Sequence, residues 1–473
     1  MGKIYPSKSN QPQYVNFYQY PPPAKFYLED EETFIFLHQQ LEKVRKVNTD
    51  KYAIYISVPF CFSRCNSCLF FRNLVPKGDK QELDTYLDAI IYELSTYLKT
   101  EYFKGRRIGA IYIGGGTGST LSVGNIRKTI EKIKSLINLE DVEITLEGNP
   151  RDFSVKNYLP NIKKAGITRV SIGLQSCSAA RLSALGSPHT DQQGIDAMRI
   201  AGDEGFDSVN VDLLLATPGQ TIQEWLKDVR IVCENTVGMI TINKYDVHSG
   251  SKAERLISSG ILPSCINSDT ADIWYMEAKS ILTSYGYIEA YWGRFVLPGH
   301  THCYGDMVYL EGSEFIGVGV GSYGWFLGRE IYNPTTLANY LTLVNEKGGL
   351  SFDSSSNPAT SNDLAVRWSL FNLNTGRLSL SELRERFGGE SAVRYIRQLL
   401  NPAINDGRLE WSETLSMATL TQTGLKDKTG VRWLLYAHKM RVHHRLRADT
   451  GRTTKPPNAF IGSSVRCYAW IAY

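Results

Sequence analysis

The chain has 473 residues, a formal net charge of +4, 42% apolar and 21% charged residues, the balance of an ordinary globular protein. So small a net charge leaves no electrostatic footprint for nucleic acid, and no uncharged apolar run reaches the length needed to cross a bilayer. The length exceeds what one compact domain usually holds, so a large catalytic unit with smaller attachments is expected.

Residues 1–50 read as an arm: a turn at "YPPPAKF", then a helical stretch around "EETFIFLHQQLEKVRKV". The polar, proline-rich start lacks a secretory pattern, which points to the cytoplasm, where thiols stay reduced. From 51 to 297 short β-rich runs alternate with helical ones. The runs are "KYAIYISV", "RIGAIYIGG", "DVEITLEG", "ITRVSIGLQ", "SVNVDLLLA" and "MITINKYDV". Between the first two lies "YLDAIIYELSTYL", which sets Leu87, Ile90, Ile91, Leu94 and Leu98 on one helix face. Such alternation implies a parallel sheet covered by helices.

Within the runs the side chains alternate. Val142, Ile144 and Leu146 oppose Glu143, Thr145 and Glu147; Val170, Ile172 and Leu174 oppose Ser171, Gly173 and Gln175; Val209, Val211 and Leu213 oppose Asn210, Asp212 and Leu214. Thr241, Asn243 and Tyr245 share a face, as do Tyr55 and Ser57. A doubly wound sheet would be apolar on both faces. One polar face suits a barrel-like sheet around a hydrophilic cavity. Six strands fall short of a closed eight-stranded barrel, so the expected fold is α/β: a partial (β/α)6 barrel with its site at the C-terminal strand ends.

Residues 298–358 break the pattern and read as a barrel extension with substrate-side loops around a glycine-rich strand, "EFIGVGVGSYG". Residues 359–437 read as a small helical, winged module, with a helix at "LSLSELRERFG" and a hairpin in "GRLEWSETLSMATLTQTGL". Its shape alone would suit DNA, but it lacks a dense basic recognition helix, which favours a lid. The tail, 438–473, shows no period and receives no function.

Three of the eight cysteines cluster: Cys61, Cys65 and Cys68, spaced C-x3-C-x2-C after the first strand. The other five read as small core hydrophobes. Structural zinc would need a distant fourth ligand, with His189, His248, His302 and Cys303 as candidates. A redox thiol pair would not need the third cysteine. Iron–sulfur clusters take thiolates, normally four; three would leave one iron open, and an open position marks catalytic metals. After the second strand, "YIGGGTGSTL" brings Gly114, Gly115, Gly116 and Thr117, where missing side chains let backbone groups approach a ligand.

Taken together, "YISVPFCFSRCNSC", "YIGGGTGSTL", "ITLEGNPRDF", "GITRVSIGLQS", "VNVDLLLATPGQT" and "EFIGVGVGSYG" resemble radical S-adenosylmethionine (SAM) enzymes of the oxygen-independent coproporphyrinogen III oxidase type. The resemblance spans roughly residues 12–437. It implies a [4Fe–4S] cluster on Cys61, Cys65 and Cys68, with the fourth iron chelated by SAM, of which one or two molecules bind. It implies that Gly115, Gly116 and Thr117 meet the methionine part of SAM, and that Glu147, Gln175 and Asp212 reach it from the cavity face, with Tyr55 beside them. The polar alternation picks out that face independently. The implied chemistry is reductive cleavage of SAM to a 5′-deoxyadenosyl radical, with the protein binding, orienting and shielding.

Three positions depart from the family pattern: Ser57 replaces a histidine, Ser67 an aromatic residue and Ser187 an arginine, for which Arg181 is a candidate substitute. The oxidase's additional cysteine after the motif is absent. This favours a class C-type methyl or methylene transfer to an unsaturated, aromatic or tetrapyrrole-like small molecule. The alternatives are a coproporphyrinogen-type oxidase or decarboxylase and a haem-binding carrier, with His248 and His302 as candidate axial ligands. Tyr291, Trp292 and Arg294 are candidates for an aromatic pocket that takes an anionic substrate. The expected partners are that substrate and an electron donor such as flavodoxin or ferredoxin, with no nucleic acid and no membrane, on a monomeric protein.

Overall fold

A computed structural model describes residues 39, 41, 51–66, 68, 80–235, 237–248, 250–291, 293–300, 302–350, 354–355, 358–428 and 430–436. The rest of the arm, the tail 438–473, Ser67 and Trp292 lie outside the described residues.

All six expected runs are strands: β1 (Tyr52–Val58), β2 (Ile108–Gly115), β3 (Glu143–Gly148), β4 (Arg169–Gln175), β5 (Ser208–Leu215) and β6 (Met239–Lys244). They pair in chain order, each parallel to the next. The crossover helices start where the chain offers caps. Thr190 and Thr221 each close a capping box, with Gln193 and Glu224 answering, and so satisfy amide groups that a helix start leaves open. One face of the sheet is apolar. Ile54, Ile56, Ile111, Ile113, Ile144, Leu146, Val170, Ile172, Val209 and Val211 join Leu87, Ile90 and Leu94 of the helix Lys80–Lys99 and Ile126, Ile130 and Ile133 of the helix Val123–Leu136 in one core.

The sheet is wider than six strands. On one side β7 (Ile288–Tyr291) and β8 (Arg294–Val296) form a hairpin, and β8 lies antiparallel to β6. On the other, β9 (Phe315–Val318) runs parallel to β1 and is followed by antiparallel β10 (Tyr323–Phe326), β11 (Arg329–Tyr332) and β12 (Ser354–Ser355). The result is a mostly parallel twelve-stranded sheet, open at both ends among the described residues.

The concave face differs from the hydrophilic cavity expected. Over β3 to β6 it is polar: Ser171, Asn210, Asp212 and Thr241 form a buried hydrogen-bond chain. Over β1, β2, β9 and β10 it is aromatic, with Tyr55, Tyr112, Phe315, Tyr323 and Trp325 packed against Tyr304, Val308 and Tyr309 from the segment 303–311. The alternation of side chains foretold which residues face inward. It carried no information about a later segment that folds back onto half of that face.

Residues 361–436 have their own core. The helices Ser361–Asn372, Leu380–Phe387 and Glu390–Asn405 pack on a three-stranded antiparallel sheet, Arg377–Ser379, Leu409–Ser412 and Met417–Leu420. Arg367 joins this core to the sheet by stacking 4.1 Å over the ring of Trp325.

Candidate functional site

Cys61, Cys65 and Cys68 follow β1 on one short loop, each half-buried. Burial pushes the Cys61 thiol up to about 11 and the Cys65 thiol up to about 12, and the neighbouring thiols add to both shifts. Such thiols stay protonated until a strong cation binds them. The loop is stapled by the residue inside the motif. Asn66 donates its backbone N–H to Leu185 and its side-chain amide to Ala184, each at 2.8 Å, and accepts from the Ala253 N–H, also at 2.8 Å. Among the described residues no group of His, Cys, Asp and Glu converges on a single-ion site. A cluster of four irons needs less convergence, because each thiolate takes its own iron.

The end of β2 lies against this loop. The Thr117 hydroxyl is 3.3 Å from Cys61 Sγ, and the Gly116 N–H donates to the Val58 carbonyl at 2.8 Å. A Cβ on Gly116 would sit 2.8 Å from the carbonyl oxygens of both Val58 and Phe60, and one on Gly114 would collide with the Glu147 carboxylate. Gly115 has a φ of +112°, open to glycine but strained for other residues. Tight packing of β2 on β1 and Glu147 thus requires these glycines, and Gly115, Gly116 and Thr117 keep accessible surface.

Glu147, Gln175 and Asp212 face the same cavity from three adjacent strands. Burial, then the charge of Asp212, pushes the Glu147 carboxyl well above its ordinary range, while a hydrogen bond from the Gly115 N–H acts against this. Asp212 accepts from Ser171 at 3.2 Å and Asn210 at 3.0 Å. Its carboxyl is also raised by burial, against the pull of Arg294 and Arg169. Gln175 ends β4 in a left-handed conformation, φ +67°, and its buried Oε1 has no hydrogen-bond partner. Few residues with a side chain adopt this conformation. Tyr55 lies beside Tyr112, their rings 6.0 Å apart.

The three departures find local explanations where they are described. The Ser57 hydroxyl donates to the Val320 carbonyl at 2.7 Å, and Tyr86 bridges the same two residues, which ties the end of β1 to the loop after β9. Ser187 bonds His189 at 3.0 Å. Burial lowers the His189 pKa to about 4, so the ring is neutral and joins Ser187 to the Leu174 carbonyl. Arg181 directs its guanidinium to the Pro218 carbonyl and to Glu224, 3.5 Å away. Ser67 and Trp292 lie outside the described residues.

Deeper in the cavity stand residues that the sequence reading passed over. Arg169 begins β4, and Tyr112 and Tyr304 wall the aromatic side. The period of two, carried one step back from Ser171, places Arg169 on the polar face. Tyr304 had no such signal. Tyr291 and Arg294 reach this region: the Tyr291 hydroxyl is 3.4 Å from His302 Nδ1, and Arg294 donates to Asn243 at 3.4 Å. His248 instead pairs with Asp246 at 3.4 Å on the loop after β6.

The sequence profile of the Radical SAM superfamily matches residues 55–232, which span the cysteine loop and β1 to β5 apart from its first residues. The chain is 28% identical over 275 residues to the heme chaperone HemW of Escherichia coli, covering 58% of this chain and 69% of that protein. It is 29% identical over 279 residues to the mitochondrial radical S-adenosyl methionine domain-containing protein 1 of Danio rerio, covering 58% and 60%. Among solved structures, coproporphyrinogen III oxidase (HemN) of Escherichia coli, a radical SAM enzyme, superposes with a TM-score of 0.73 at 21% identity, covering 88% of this chain and 96% of that one. The last comparison shows a shared fold. No helix among the described residues is long and apolar enough to cross a membrane.

Proposed function

Because this chain is a radical SAM protein of the coproporphyrinogen III oxidase-like family, we propose that it binds a [4Fe–4S] cluster on Cys61, Cys65 and Cys68, holds SAM across Gly115–Thr117, and cleaves it reductively to act on a small molecule in the concave cavity. The convergence of the cysteine loop, the glycine turn and Glu147 at one end of the sheet carries this reading, with Cys61 Sγ 3.3 Å from Thr117 Oγ1. When bound, the cluster and SAM supply one-electron radical chemistry. The residues present fit these groups. Three thiols on one stapled loop provide thiolate ligands. Glu147 and Asp212 are acceptors for an ammonium or ribose hydroxyls, and Gln175 Oε1 is a buried acceptor with no protein partner. Tyr55 and Tyr112 close the cavity wall and keep water from the reacting atoms. Thiol deprotonation accompanies cluster loading, so loading is favoured as pH rises.

As the cavity's substrate or cargo we rank haem or a related tetrapyrrole first. The names of the relatives support it, as do the aromatic wall and the buried His302 imidazole. Methyl transfer draws no support from those relatives. Two measurements separate the parts. Anaerobically reconstituted protein, given SAM and dithionite, is expected to form 5′-deoxyadenosine, and Cys65→Ala to form none and to lose its brown absorbance. A colourless zinc protein, or equal product from Cys65→Ala, overturns the radical reading. Titration with haemin is expected to show one saturable site; its absence overturns the tetrapyrrole reading alone.

A further inference from the structure

Arg169 is 1% exposed. A guanidinium keeps its charge and has five N–H groups to satisfy. Here two weak contacts serve it: Nη1 to Thr145 Oγ1 at 3.4 Å and Nη2 to Met239 Sδ at 3.2 Å. Its Nε has no hydrogen-bond partner, and among the described residues no carboxylate forms an ion pair with it. Asp212 and Asp306 lie within its field without touching it, and a buried guanidinium with donors left in this way is costly unless something completes it. A second group nearby is also incomplete. His302 Nε2 is buried without a partner, although the ring keeps some accessible surface. Burial and the charges of Arg169 and Arg294 keep this imidazole neutral. With Nδ1 assigned as acceptor from the Tyr291 hydroxyl, Nε2 carries the proton and points a donor into the same region. Arg294, also buried, adds a second positive charge on the neighbouring hairpin.

We infer that the floor of the concave cavity is a carboxylate-binding subsite, in which Arg169 supplies the counter-charge and a bidentate fork, Arg294 strengthens the field, and His302 Nε2 donates a further hydrogen bond. The inference rests on the tetrapyrrole reading and deepens it: the ligand is an acid, and its carboxylate end enters first. Arg169 and carboxylate match in planar geometry as well as charge. The subsite lies beyond Asp212 from the cysteine loop, so a ligand anchored there presents its opposite end toward the SAM side.

The test uses the full chain with its cluster reconstituted, and haemin and haemin dimethyl ester as probes, each titrated by absorbance. Wild type is expected to bind the diacid about tenfold or more tighter than the diester. Arg169→Met is expected to abolish that difference and Arg169→Lys to keep part of it. Thermal unfolding without ligand is a second readout, because replacing a buried charge that makes no ion-pair contact by an apolar residue of similar length is expected to leave the midpoint unchanged or raise it. Equal affinities for diacid and diester in wild type, or a preference that survives in Arg169→Met, overturn the subsite alone. A midpoint lowered by more than about 5 °C makes Arg169 a structural residue and overturns it too. If wild type binds neither probe, the tetrapyrrole reading fails and takes the subsite with it, while 5′-deoxyadenosine formation still stands by its own assay.

Discussion

Glu147 shows how one residue serves both the site and the fold. Its carboxyl titrates well above the ordinary 4.5 because of burial and the charge of Asp212. The folded chain therefore keeps a proton that the unfolded chain has released, and stability is complete below 4.5 and declines as pH rises toward the folded value. Glu147→Gln has no such proton to lose. Its thermal midpoint is expected to fall less than that of the wild type between pH 5 and pH 8, with Asp212, Asp228 and Asp306, whose carboxyls burial also raises, contributing to what decline remains. The same substitution removes a carboxyl that can give up its proton when an ammonium binds and is expected to weaken SAM binding about tenfold, measured by equilibrium dialysis. A variant with unchanged SAM affinity would move Glu147 out of the proposed site. Glu147, Gln175 and Asp212 were legible as inward-facing residues from alternation alone. The strained φ of Gln175 was not, because it coincides with a shift in the β4–β5 register that no local pattern announces.

Among the elements, the junction of β1 and β2 matters most. Both strands end in the proposed site, and the glycines there permit the close approach that brings Thr117 to Cys61. Gly116→Ala would place a methyl group 2.8 Å from two carbonyl oxygens of the β1 end, forcing the strands apart. The expected cost is about 1–3 kcal/mol, read as a lower urea midpoint, together with less iron retained per chain after reconstitution. A variant with full iron content and wild-type stability would show that the contact relaxes harmlessly. The six parallel strands were readable because each has a strong two-residue period between helical runs. The β7–β8 hairpin was not read as strands, since its two runs of four and three residues are too short for a period to declare itself.

On the scale of the whole molecule, the edge extension is tied to the barrel by one buried acid. Glu93, on the helix Lys80–Lys99, accepts hydrogen bonds from the Gly319 N–H at 3.0 Å, the Asn333 amide at 2.9 Å and the Tyr340 hydroxyl at 2.8 Å. The loop it fixes is also held by Ser57 and Tyr86 at the end of β1. The edge strands, the helix and the start of the cysteine loop thus form one unit. Glu93→Ala takes the acceptor from the Gly319 N–H and the Tyr340 hydroxyl and one of two acceptors from the Asn333 amide, and is expected to cost about 3 kcal/mol or more, measured by urea unfolding. A loss below about 1 kcal/mol would mean that water replaces the carboxylate. A helix face of otherwise apolar residues gave no hint of this acid's role. Its partners lie more than 220 residues away in the chain.

The sequence by itself determined the parallel order of strands, the polar inward face, the three clustered thiols and the glycine turn. Each of these is written in neighbouring residues, as a period, a spacing or a missing side chain. Tertiary structure alone decided that residues 303–311 and β9 to β11 turn half of the concave face aromatic. It also decided that Ser57 is engaged by Val320, and that Arg169 and His302 face one region of the interior with groups left to satisfy. These are contacts between segments distant in the chain, and their energies depend on burial and on partners that no local pattern contains.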